Sequence, residues 1–128
     1  MSRQRRIIVS ENDFAHLRVL AGHARLAAEL QNADILQTRL VPPDVVTVNS
    51  RVRFKDESTG EIRDVTIVFP NDADGSLDRV SVLATVGTAL LGLAAGESIL
   101  WPFPDGTLRK LHVLRLIYQA RPDEYAHG

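Results

Sequence analysis

Four histidines, His16, His23, His112 and His127, are the residues of this chain best suited by type to hold a transition metal, and their spacing does not build a site. The first two stand seven positions apart across an expected helix end, and neither has a carboxylate at i+4. The chain contains no cysteine, which removes disulfides, thiolate nucleophiles and cysteine metal sites together. Asp72 and Asp74 with Gly75 have the opening of a calcium loop, but no bidentate glutamate follows at the required spacing. These residues read as surface histidines and a solvated turn, so no metal and no cofactor is expected.

Trp101, the single tryptophan, sits in "LWPFP" beside two prolines. Such a residue suits a proline-recognition groove and, with it, prolyl isomerase chemistry. Only four Phe and two Tyr accompany it, however, and an aromatic-lined pocket needs several to converge. Arg51, Arg53 and Arg63 are expected on the outer face of a hairpin, with Arg109, Lys110 and Arg115 on the last strand. No aromatic is interleaved for base stacking, and Asp56, Glu57, Glu61 and Asp64 neutralise the area. The expectation is a solvated sheet face that assists binding to an acidic patch on a protein partner, without sequence-specific contact to nucleic acid.

The bulk composition supports a folded chain of ordinary kind. In 128 residues, 45% are hydrophobic and 24% charged, enough for a real core. Fifteen Lys and Arg against sixteen Asp and Glu leave a formal charge of -1, so no global field recruits nucleic acid or an anionic membrane. The opening "MSRQRRIIVSEND" has too few apolar residues for a signal-peptide core. No apolar run approaches the roughly 18 residues of a membrane span. A cytoplasmic protein is therefore the expectation.

The elements that must position these residues fall into two parts. "IIVS" suits a short strand or the lead-in to a helix, and Ser10 with Asp13 has capping-box spacing, which favours the cap. Phe14, Leu17 and Leu20 or Ala21 then recur at helical spacing up to Gly22, and Leu26, Leu30, Ala33 and Leu36 or Gln37 resume it. Two helices of about 12 to 15 residues, joined so tightly, predict an antiparallel hairpin reaching about 18 to 22 Å. Pro42 and Pro43 end it, which divides the chain into 1–41 and 42–128.

Beyond the prolines the pattern turns to strands. "DVVTVNSRVRF" alternates, with Val46, Val48, Val52 and Phe54 on one face and Ser50 small on the inner side. "KDESTGEIRD" carries turn chemistry at Gly60, and "DVTIVFP" completes a hairpin. After a polar loop, Val80 and Val82 mark a brief strand and residues 86–93 a short, small-sided helix starting near Gly87 and ended by Gly96. "SILWPFPDG" is an edge strand turned at Asp105-Gly106. "TLRKLHVLRLIYQ" closes the fold, with Leu111, Val113 and Ile117 on one side and Leu114, Leu116 and Tyr118 on the other. The reading is α+β: a helical hairpin followed by a small antiparallel sheet with one helix across it.

The order "V-x-x-x-S-x-V-x-F", "IVFP", "VSVLATVGTALLGLAAGES", "P-D-G" and "LHVLRLIY", over residues 44–119, resembles the C-terminal domain of the Gre-type transcript-cleavage factors. It resembles still more closely a related family, the regulators of nucleoside diphosphate kinase. The resemblance implies an FKBP-like sheet wrapped around a short helix, preceded by a two-helix coiled coil. It also implies a partner, bacterial RNA polymerase, bound at the rim of its secondary channel. In Gre factors the coiled-coil tip carries acids that hold a second Mg²⁺ for hydrolysis. Here the tip, "LAGHARL" at residues 20–26, has no carboxylate; Asp13 and Glu29 are the nearest and form no pair.

The expected function is accordingly a non-catalytic transcription regulator that occupies the polymerase rim and competes with Gre-type factors. Its alternatives are a shortened transcript-cleavage factor and an FKBP-like binding module with no polymerase role. In Gre-type relatives the turn before the short helix is the docking surface, which maps to Leu83, Ala84, Thr85, Val86 and Gly87. Thr85 stands where those relatives have proline, and Leu83 where some place an acid. Gly87 has a plainer reading as the residue that permits the strand-to-helix turn. The sequence assigns no oligomeric state.

Overall fold

A computed structural model describes residues 7–20, 24–31, 33–76 and 78–120. Strands β3 (Arg51–Asp56), β4 (Glu61–Val68), β5 (Arg79–Ser81), β6 (Ser98–Pro102) and β7 (Leu108–Tyr118) form one sheet in the order β5-β4-β3-β7-β6. Three of its pairings are antiparallel, whereas β4 and β5 run parallel, so the sheet is mixed where a wholly antiparallel one was expected. The reason is the connection after β4. A 3-10 turn at Pro70–Asp72 starts a loop that brings the chain back alongside Thr66, so that Arg79 enters running in the same direction as β4.

Helix α3 (Thr85–Leu90) packs against β5, β6 and β7, that is, against both edges of the sheet at once. Only a curled sheet permits this. Its inner face contributes Val52, Phe54, Val65, Ile67, Trp101, Leu111 and Val113, and the helix fills the hollow with Ala89 and Leu90, joined by its C-cap Leu91. The expected edge position of β6 and the turn at Asp105-Gly106 are both present, with Gly106 at φ +86° and the Thr107 amide donating to Asp105 Oδ1.

Two strands depart from their expected limits. The alternation from Asp44 onward suggests one continuous strand, but β3 begins only at Arg51, because Asn49 takes φ +72° and turns the chain. Asparagine tolerates that left-handed conformation better than most residues. Val45 and Thr47 are consequently buried along with Val46 and Val48. In β7, Phe54 faces Val113 while Val52 faces Leu116, and Arg51 faces Tyr118. Leu114 and Ile117 are therefore extra residues in the ladder. Each insertion shifts the alternation. Leu116 continues the inner face, and Ile117 leaves the set formed by Leu111 and Val113.

The N-terminal part combines both readings of "IIVS". Strand β1 (Ile8–Ser10) pairs in parallel with β2 (Asp34–Leu36), and Ser10 also caps α1 (Glu11–Leu17), its Oγ accepting from the Asp13 amide at 3.0 Å. A 3-10 turn at Arg18–Leu20 follows, then α2 (Ala24–Gln31). The helices have 7 and 8 residues rather than the longer spans expected, giving each about 10 to 12 Å. Residues 21–23, including Gly22 and His23, lie outside the described residues, as do His127 and the rest of 121–128.

This part does not stand apart from the sheet. Ile7, Val9, Leu17, Leu26 and Leu30 belong to the same hydrophobic cluster as Val46, Phe54 and Leu91. Gly92, at φ +84°, is the joint: its amide donates to Val46 O at 2.9 Å, and a Cβ placed on it would fall on the Ile7 side chain.

Candidate functional site

The turn between β5 and α3 is built by a small set of hydrogen bonds that fix every reversal of direction. The Val82 amide donates to Val68 O at 2.8 Å, extending the parallel pairing one residue past β5. Ser81 then closes the turn twice, its carbonyl accepting from the Ala84 amide at 2.9 Å and its hydroxyl from the Leu83 amide at 3.0 Å. Thr88 reaches back from α3, its hydroxyl 2.6 Å from Val82 O and 3.0 Å from Ala84 O. Ala84, at φ -73° and ψ 156°, is the N-cap residue, and Thr85 is the first helical residue.

The five candidate residues are not equivalent in this frame. Ala84 is exposed, and Leu83, Thr85 and Val86 are half-buried, so their outer surfaces form a continuous rim. Gly87 is buried. Its role differs from that of a hinge: it lies inside α3 without a positive φ, and a Cβ there would fall on the Ser81 carbonyl oxygen. Helix α3 packs so closely on β5 that only glycine fits.

Because β4 and β5 are parallel, this rim and the segment after β4 leave the sheet at the same end. There Phe69, Pro70 and Asn71, with His16, Val19 and Leu20 from the N-terminal part, line an apolar groove of about 210 Å³. Val19 is 78% exposed. Neither Val19 nor Phe69 carried a signal in the sequence, since the groove exists only through contact between the two halves.

The other chemical candidates disperse. His16 Nδ1 lies 2.8 Å from Asn12 O, and His112 Nδ1 lies 3.2 Å from Ser98 Oγ. Among the described residues no group of His, Asp and Glu is arranged to hold a metal ion. Asp74 uses its carboxylate within its own turn, on the Ser76 amide and hydroxyl, which hold it below the usual carboxylate range. Trp101 is buried in the core and lines neither this groove nor a second one between Phe14, Arg18, Ala27, Leu30 and Gln31. Asp13, an acid of the N-terminal part, is also spoken for. Asp13 is buried, and its Oδ2 accepts from the Val48 amide at 3.0 Å.

The arginines divide between two faces, against the expectation of a single patch. Arg51 and Arg53 face outward from β3, with Arg115 opposite Arg53 on β7. Arg63 pairs in register with inward Phe54 and lies over its ring at 5.8 Å. Arg109 pairs with inward Trp101, stacks on Phe103 at 4.6 Å and contacts Asp56 at 3.3 Å.

Comparison with known proteins fits this architecture. Residues 41–118 match the family model described as transcription elongation factor, GreA/GreB, C-term, and the chain belongs to that family. Within it, the chain is 48% identical over 94 residues to the regulator of nucleoside diphosphate kinase of Escherichia coli strain K12, spanning 73% of this chain and 69% of that protein. It is also 36% identical over 87 residues to transcription elongation factor GreA of Clostridium novyi, across 68% of this chain but only 54% of the factor. The chain thus spans about half the length of such elongation factors. A solved GreA/GreB elongation factor from Nitrosomonas europaea superimposes with a TM-score of 0.71 at 39% identity, covering 89% of this chain and 99% of that one. Among the described residues, no helix is long and apolar enough to cross a membrane.

Proposed function

We propose that this Gre-related protein is a non-catalytic regulator that docks on bacterial RNA polymerase at the rim of the secondary channel, in the cytoplasm, and competes there with Gre-type factors. Leu83, Ala84, Thr85 and Val86 supply the contact, and buried Gly87 holds their backbone in place. The observation that carries the non-catalytic reading is the N-terminal part. Helices of 7 and 8 residues are too short to carry a metal-binding tip far, and Asp13 is committed to the Val48 amide. Residues 1–41 then act as an obstruction at the channel mouth, and 42–128 as the docking domain.

Three measurements on the full chain test this. Binding to core polymerase is expected in a pull-down, with at least tenfold weakening by Ala84→Glu and unchanged thermal unfolding. Displacement of a Gre factor from polymerase is expected at matching concentrations. Endonucleolytic shortening of RNA in stalled complexes would instead establish a cleavage factor, and absence of polymerase binding would leave a protein-binding module. Deleting residues 1–41 is unsuitable, because it strips Ile7, Leu17 and Leu26 from the shared core.

A further inference from the structure

Among the described residues, the outer face of the sheet carries an uneven charge. Cross-strand register places Arg79, Thr66, Arg51 and Tyr118 in one row, Asp64, Arg53 and Arg115 in the next, then Ile62, Lys55, His112 and Ser98, then Lys110 and Leu100. Three carboxylates meet these cations, and each is already engaged. Asp64 takes both ends of the Arg53 guanidinium at 2.8 and 3.0 Å, Glu57 lies 3.5 Å from Lys55, and Asp74 lies 3.8 Å from Arg79. Arg51, Lys110 and Arg115 remain without a carboxylate among the described residues.

The acids that looked able to neutralise the patch are elsewhere. Asp56 and Glu61 pair with each other on the opposite, inward register, and Asp56 is buried against Arg109. The crowding of like charge is visible at Asp64, whose carboxyl is held below its usual range first by Arg53 and also by the charges of Arg51 and Arg115. A chain with a net charge of -1 therefore presents a positive face. That face also bears an aromatic: Tyr118, 47% exposed, stands directly across from Arg51.

We propose that this outer sheet face binds single-stranded nucleic acid without sequence preference, Arg51, Lys110 and Arg115 meeting phosphates and Tyr118 offering a ring on which a base stacks. An exposed sheet that combines a cationic track with an aromatic platform suits this ligand. An acidic protein segment would be satisfied by the cations alone and would gain nothing specific from the ring. The proposal uses the outer face of the sheet and none of residues 83–87, so it does not depend on polymerase docking.

Fluorescence anisotropy on the full chain tests it, with labelled uridylate and thymidylate oligomers of about 15 nucleotides as probes. Both are expected to bind, RNA or DNA, with log affinity falling against log salt at a slope of roughly -2 for three phosphate contacts. The double variant Lys110→Glu, Arg115→Glu is expected to lose at least tenfold in affinity and to flatten the slope. Tyr118→Ala is expected to weaken binding severalfold and leave the slope unchanged. Lys110→Gln with Arg115→Gln serves if the charge-reversed chain unfolds. No anisotropy change at about 100 μM protein in low salt, or equal binding by the double variant, overturns the proposal. So does displacement of the oligomer by polyglutamate of matched charge as effectively as by unlabelled oligomer, which would assign the face to acidic protein segments.

Discussion

The Asp13 carboxylate accepts a hydrogen bond from the Val48 amide across 35 positions of sequence, joining the first turn of α1 to the loop that precedes β3. Ser10 caps the helix, and the acid three residues on accepts from the Val48 amide while its carboxyl is also held by the Ser10 hydroxyl.

A pH dependence follows. Burial pushes Asp13 up to about 6, opposed by the Val48 bond, the charge of His16 and the Ser10 hydroxyl. An acid whose folded value lies above its unfolded 3.8 favours the fold most when protonated. Its contribution is full below about pH 4 and is lost as pH rises through 6. Asp13→Asn keeps an oxygen acceptor for Val48 without the charge. It is expected to exceed the native chain in stability by about 1 to 2 kcal/mol at pH 7 and to lose that advantage at pH 4. Urea unfolding at the two pH values checks this; a pH-independent difference would refute the assignment.

Gly87 offers a test of packing at the candidate site. The nearest obstacle to a methyl group there is the Ser81 carbonyl, which is backbone and itself bonded to the Ala84 amide. Neither can yield without opening the turn. Gly87→Ala is expected to cost at least about 2 kcal/mol, in the upper range of overpacking, and to lower the unfolding temperature by about 8 °C. A backbone role through positive φ would make other glycine-like residues such as Asn tolerable; steric exclusion predicts Asn to be worse than Ala.

The contrast between β3 and β7 explains what the sequence could and could not disclose. Val52, Phe54, Leu111 and Val113 alternate locally, so their inward facing was legible. The two bulges at Leu114 and Ile117 are properties of a pair of strands, and no single-strand pattern contains them. The turn at Asn49 was hidden in the same way, because valines on both sides of it are buried for different reasons. At the candidate site, the choice of residues 83–87 came from resemblance. The groove formed with Val19 and Phe69 was not, since it depends on how the two halves meet. The arginine patch failed for a related cause: assigning Arg63 and Arg109 to a face requires register, which a sequence does not state.

Thr88 gives a hydrogen-bond test separate from packing. Its hydroxyl lies 2.6 Å from Val82 O, and valine matches its shape while removing the donor. Thr88→Val is expected to cost about 1 to 2 kcal/mol, the range for stripping a buried carbonyl of its partner. Hydrogen exchange should show faster opening of the Leu83 and Ala84 amides in the same variant. Equal stability and unchanged exchange would show that the turn is held by Ser81 alone.

Thr85 is the position at which this chain departs from the proline expected by resemblance to Gre factors, and the local geometry says what that departure does. Thr85 is the first residue of α3, where an amide needs no helical partner and proline is favoured. Ala84 before it has φ -73° and ψ 156°, the extended conformation that a following proline demands. The backbone is thus already arranged for proline without containing it. Thr85→Pro is expected to stabilise the chain by about 0.4 to 1 kcal/mol by restricting the unfolded state. If the 83–87 turn docks on polymerase, the same variant should keep binding through Leu83, Ala84 and Val86 and weaken only by what the Thr85 side chain adds. Stabilisation accompanied by complete loss of polymerase binding would instead show that the Thr85 side chain carries the contact alone.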